Sequence, residues 1–183
     1  MAGFRTFLKS GHTPTLFAAF FYLTFSFVIW VMNGAMAPFI SEEFNLTPAQ
    51  KGLLLSIPIV AGAIMRFPLG LLAQYVGRKT ATLVELALIC FTMAYGYFFV
   101  QSYDDMLKMA LLLGVAGASF GVAMSLGAGW YPPKYKGLAM GLVGAGNVGT
   151  AVAALLAPPL AQAYGWQTVY GFAALASVVP MLV

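Results

Sequence analysis

The 183-residue chain has one cysteine, one histidine and few charges, with Asp, Glu, Lys and Arg together making up only 8% of it. A soluble domain carries about 25% charged residues, so this sequence lacks the polar groups to wet its own surface. Cys90 has no second cysteine, which excludes a disulfide framework and a cysteine-based zinc site. His12 stands alone as well, which excludes histidine-cluster metal sites and His-dependent catalytic triads. No metal and no cofactor is expected. What is plentiful is apolar: 61% hydrophobic residues, 15% aromatic residues and a mean hydropathy of +0.88. Intrinsic disorder is excluded by those figures. The composition is that of an integral membrane protein, with the lipid bilayer as its solvent.

Apolar stretches near the roughly 20 residues that a bilayer requires follow one another along the chain. They run Thr15–Ile40, Pro48–Ala73, Thr80–Val100, Met106–Tyr131 and Gly137–Ala163, with a sixth beginning near Thr168. The sixth reaches Val183 with no basic or aromatic flank. The expected organisation is a tail over 1–14 and a six-helix membrane half-bundle over 15–183, its last helix truncated. Ala35-Met36-Ala37 imitates a signal-peptide cleavage site. The apolar stretch before it exceeds the roughly 7–15 residues of a signal core, and further spans follow, so a retained first helix is expected. Thr47-Pro48-Ala49-Gln50 predicts a helix start, with a capping threonine, proline at the first position and glutamine at the third.

The loops carry an orientation signal. Arg5 and Lys9 precede the first span, Arg78 and Lys79 follow the second, and Lys134 and Lys136 follow the fourth. The alternate loops hold Glu42, Glu43, Asp104 and Asp105. The positive-inside bias therefore predicts a cytoplasmic N-terminus and cytoplasmic loops after spans two and four. The net charge of +4 follows from this topology, and no nucleic-acid partner is expected.

Two ionisable residues lie within the spans, Arg66 and Glu85. An arginine near a helix centre costs roughly 2.5–3.5 kcal/mol on insertion scales. Arg66 stands between Gly62 and Gly70, one turn away on either side, so its helix face is otherwise bare backbone. That pattern points to a fixed cation meeting an anion in a water-accessible pathway; a structural arginine bonded to backbone carbonyls is the alternative. Glu85, near the start of span three, reads as a structural ion-pair partner of Arg78, with proton coupling the other role open to it.

Glycine is concentrated in spans four and five. Gly137, Gly141, Ala145, Gly149, Ala153 and Ala157 recur at every fourth residue, as do Gly117, Gly121, Ser125 and Gly129. An interior glycine costs about 1 kcal/mol against alanine in a helix, so such stripes imply close approach of backbones or of a ligand. Gly137, Gly141 and Gly149 are the expected helix-packing positions. Asn147 interrupts the glycines with a polar group that needs a partner in the membrane. No nucleophile–base pair and no phosphate-gripping Gly-Lys-Ser/Thr loop is present, so an enzyme is not expected.

Gly70-Leu-Leu-Ala-Gln-Tyr-Val-Gly77-Arg78-Lys79 resembles the loop motif of the major facilitator superfamily, with Gln74 where the family usually has aspartate. Gly141-Leu-Val-Gly-Ala-Gly-Asn147-Val-Gly149 resembles the signature of its nitrate/nitrite porter branch. Met65-Arg66-Phe67-Pro68 is similar to that branch's substrate arginine region, and Phe120, with Trp130-Tyr131-Pro132-Pro133-Lys134 beyond it, to its fourth-helix aromatic and following loop. The resemblance implies an all-α fold, the N-terminal six-helix half of a twelve-helix transporter, with a C-terminal six-helix half as its partner. It also implies a substrate site for nitrate or nitrite made of Arg66, Asn147, Phe120, Gly144 and Gly146, and a gating motif of Gly70, Gly77, Arg78 and Lys79. The arginine's planar fork can bond two oxygens of one anion. Because binding an anion offsets the cost of a lone buried cation, exchange of nitrate for nitrite is the expected mode. Proton symport and a carrier for a short carboxylate are the alternatives.

Overall fold

A computed structural model describes residues 2–182, with side chains described from residue 4 onward. The described chain is helical throughout. Helix α1 (Ala2–Lys9) lies in the expected tail, where fully buried Phe7 stacks on Tyr131 at 4.7 Å. The first span comprises α2 (Thr13–Trp30), α3 (Met32–Ala35) and α4 (Ala37–Glu43). It was expected as one helix, and its hydrogen bonds do run through the interruptions at Val31 and Met36, as in Ala35 N–H to Val31 carbonyl at 3.1 Å. Pro38, in the first turn of α4, lacks an N–H and crowds the preceding turn, which accounts for the second bend.

Helix α5 (Pro48–Tyr75) begins as predicted: the Thr47 hydroxyl accepts from Gln50 N–H at 3.3 Å, and Gln50 Oε1 accepts from Thr47 N–H at 2.9 Å. Helices α6 (Arg78–Phe98) and α7 (Tyr103–Ala128) follow. The fifth span is split into α8 (Pro133–Gly144), a 3₁₀ turn over Ala145–Asn147 and α9 (Val148–Tyr164). The sixth consists of α10 (Trp166–Ala176) and α11 (Val178–Leu182). Five of these spans are long and apolar enough to cross a membrane.

Helix α7 forms the centre, packing against α5, α2, α6 and α8. Lipid tails are as apolar as the side chains, so packing here depends on close van der Waals approach. Small residues make that approach possible. Gly62 of α5 lies so near α7 that a Cβ there would stand 3.3 Å from both the Gly114 carbonyl and the Gly117 Cα. The Trp30 indole fills the space over Gly117, and its N–H reaches the Pro58 carbonyl at 3.1 Å. One aromatic ring thus pins α2, α5 and α7 together.

The small stripe of the fifth span divides between two environments. Gly149, Ala153 and Ala157 are buried, whereas Gly137, Gly141 and Ala145 are exposed. Each four-residue step advances about 400° around a helix, or about 40° past a full turn. Over the length of the stripe, that drift carries it from the outer face onto α2.

The turns joining spans two to three and five to six are alike. Ala73-Gln74-Tyr75-Val76-Gly77-Arg78-Lys79-Thr80 and Ala161-Gln162-Ala163-Tyr164-Gly165-Trp166-Gln167-Thr168 share their first, second, fifth and eighth residues. Gly77 and Gly165 adopt φ of +86° and +83°, a left-handed conformation that glycine takes without penalty. Matching turns thus follow the second and the fifth spans.

Candidate functional site

Arg66 lies on the outward side of α5, exposed, between Ile64 at 66% and Phe67 at 74% exposure. The salt bridge found among the described residues joins Lys108 to Asp105 at 2.9 Å, and no hydrogen bond from Arg66 accompanies it. The arginine is therefore neither paired with a carboxylate nor bonded to backbone carbonyls, as the structural alternative would require. Its helix is held rigidly all the same. The Gly62 crossing fixes α5 against α7 one turn above it, and Gly70, one turn below, lines a cavity together with Gly121 of α7. Arg66 is thus level with the stretch of α7 that carries Phe120.

Phe120 is half-buried, 6.4 Å from the Phe27 ring, and Phe27 stands edge-on to Trp30 at 5.3 Å. Beside it, Gly121 is exposed with nothing within 4 Å of a would-be Cβ. The aromatic group leaves one ring edge at the margin of an open backbone surface.

The glycine segment of the fifth span lies across α7 from Arg66. Helices α5 and α8 both pack on α7 but are not major packing neighbours of each other. Asn147 is exposed, and its carbonyl accepts the Thr150 hydroxyl at 2.9 Å. A Cβ on Gly144 would meet the Met124 methyl at 3.3 Å, while Gly146 is packed on Leu23, Phe20 and Thr24 of α2. Gly149 abuts the Thr24 carbonyl, and Gly137 and Gly141 face open space. The residues of the expected site are thus spread over three spans, and the turn that carries Asn147 packs on α2 rather than on α5.

The loop-motif residues do come together. Gly70, Gln74, Gly77, Arg78 and Lys79 line an open cavity of about 940 Å³ with Ser125 on its other wall. The Arg78 guanidinium occupies the space over Gly129 where a side chain would otherwise stand. A cavity with two cations and no carboxylate in its lining attracts anions.

Residues 16–183 match the Major Facilitator Superfamily profile. The chain belongs to the major facilitator superfamily. That family is one of membrane transporters, and the chain's helices match half of a major facilitator fold. Among curated proteins it is similar to the "Probable nitrate transporter NarT" of Staphylococcus aureus strains JH9 and Newman, at 36% identity over 148 residues in each case. The matched stretch is 80% of this chain and 37% of each relative, so the chain spans well under two thirds of their length.

Two features of this superfamily member depart from the sequence reading. Glu85 does not pair with Arg78: it is fully buried, and its Oε2 accepts the hydroxyl of Tyr22, while Arg78 turns to Gly129. Position along α6 gives depth, but it could not show that Tyr22, 63 residues away, arrives at the carboxylate first. The Phe27–Trp30 pair was also missed. The available signal was two aromatics one turn apart on span one, facing a span whose glycines leave room for a ring.

Proposed function

We propose that this chain is the anion-binding half of a secondary transporter that moves nitrate and nitrite across a bacterial cytoplasmic membrane by alternating access. Arg66 carries this reading, as an exposed arginine about two-thirds of the way along a membrane helix with no partner among the described residues. Nitrate and nitrite are small, planar and singly charged, and they only accept hydrogen bonds. A guanidinium fork meets two of their oxygens at once. Phe120 would lie against the flat face of the anion, and exposed Asn147, with half-buried Gly144 beside it, would border it once a second half encloses the site, whereas Gly146, sealed against α2, is left to packing.

The basic end of the bundle, with Arg5, Lys9, Arg78, Lys79, Lys134 and Lys136, would face the cytoplasm. Gly70, Gly77, Arg78 and Lys79 would form the gate there, and exposed Gly137 and Gly141 would let the two halves slide closely. The name of the curated relatives supports nitrate as substrate. A lone cation crosses the hydrocarbon at high cost, and an anion bound to it offsets much of that cost. The empty carrier would therefore reorient slowly, which favours obligatory exchange. Vesicles holding the full-length protein, loaded with nitrite or left without it, test this. Nitrate entry should require internal nitrite, and equal entry in both would refute exchange.

A further inference from the structure

The Glu85 carboxyl is fully buried, with no cation beside it among the described residues. Tyr22 donates to Oε2, but Oε1 has no partner. The Ser26 hydroxyl, one turn along α2 from Tyr22, is fully buried and equally without a partner. The single hydrogen bond from α2 to α6 thus leaves one carboxyl oxygen orphaned, and a second orphaned hydroxyl lies one turn from its donor, among the described residues.

Few other ionisable groups face this layer. On α2 it is Tyr22 itself. Helix α7 has no ionisable residue from Met109 to its end at Ala128, and α11 has none. Helix α5 contributes Arg66 and Tyr75, both exposed, and α10 contributes Tyr170, whose hydroxyl is bonded to Asn33. On α6 itself, Arg78 and Lys79 lie about two turns away, and Cys90, Tyr95 and Tyr97 lie towards the other end. An ionised carboxylate in this position would give up its hydration for a single phenol, a loss of several kcal/mol.

The open cavity lies two turns from the carboxyl along α6. Arg78, Thr82 and Glu85 stack on one face of α6 at spacings of four and three residues. Arg78 lines the open cavity, Thr82 is 8% exposed and Glu85 is sealed. The carboxyl thus lies about 10 Å along the helix from the cavity.

We propose that Glu85 is a proton-binding site, loaded while Tyr22 of α2 is hydrogen-bonded to it as described and emptied into the Arg78-lined cavity when that bond opens. On release the Oε1–H bond breaks and the proton passes to cavity water. The carboxylate left behind is stabilised by that water and by the approach of Arg78. This site goes beyond the anion reading and does not depend on which anion is carried.

Infrared spectra of the full-length protein in lipid nanodiscs at neutral pH test the proposal without any anion present. The wild type should show a protonated-carboxyl carbonyl band that Glu85→Gln loses. Identical spectra would overturn the assignment. Tyr22→Phe keeps the carboxyl and should keep the band; its loss there too would trace the signal to disturbed packing and equally overturn it. In vesicle transport, the rate should depend on pH in the compartment facing Arg78, and Glu85→Gln should flatten that profile. Parallel profiles in the two proteins would overturn the release step.

Discussion

Two glycines eight residues apart on the fifth span should respond in opposite ways to the same methyl group. At Gly149 a Cβ would run into the Thr24 carbonyl of α2, while at Gly141 nothing lies within 4 Å. Alanine in place of an interior glycine gains about 0.5–1 kcal/mol through reduced backbone freedom. At Gly149 that gain is opposed by overpacking, which typically costs about 1–3 kcal/mol and falls here on backbone that cannot rotate away. Gly149→Ala is therefore expected to be neutral at best and up to about 2.5 kcal/mol destabilising. Gly141→Ala should be neutral or slightly stabilising. If the Gly141 face is the sliding surface against a second half, its transport should nevertheless fall. Thermal melts of the full-length protein followed by size-exclusion chromatography give the first comparison, and vesicle uptake at equal protein gives the second. A Gly149→Ala protein that melts higher than Gly141→Ala would refute the packing argument. Full transport by a stable Gly141→Ala would remove the sliding role.

Two further outcomes follow from single contacts. Trp30→Phe retains a ring over Gly117 but leaves the Pro58 carbonyl without its side-chain donor, so stability should fall by about 0.5–1.5 kcal/mol, read as a lower melting midpoint. Competition between labelled nitrate and formate or oxalate separates the porter reading from a short-carboxylate carrier: nitrite should displace nitrate strongly and the carboxylates weakly, and the reverse order would favour the carboxylate carrier.

The spans were legible because bilayer thickness imposes a long apolar run that hydropathy records directly. The start of α5 was legible too, since a capping box is local and Thr47 with Gln50 completes it within one turn. The small stripe of the fifth span shows where such reading stops. Its four-residue spacing was plain, but the drift of that spacing around the helix decides which members are buried. The bends at Val31 and Met36 left hydropathy unchanged and stayed hidden. At the candidate site, the sequence isolated Arg66 as a cation with no acidic neighbour, and the structure gives it no partner. Glu85 was misassigned because helical position predicts depth, whereas its actual partner comes from another span. The shared turns around Gly77 and Gly165 were present in the sequence, but their common left-handed glycine leaves no trace in hydropathy.

Nitrate binding to the full-length protein by calorimetry, compared across wild type, Arg66→Lys and Arg66→Ala, probes the guanidinium most directly. Arg66 is exposed and makes no hydrogen bond or ion pair among the described residues, so all three proteins should melt alike. Lysine keeps the charge but loses one of two charge-assisted bonds, each worth about 1.5–3 kcal/mol, so its affinity should drop about 10- to 150-fold. Alanine should abolish detectable binding. Nitrate bound at wild-type affinity by either folded variant would contradict the role given to Arg66.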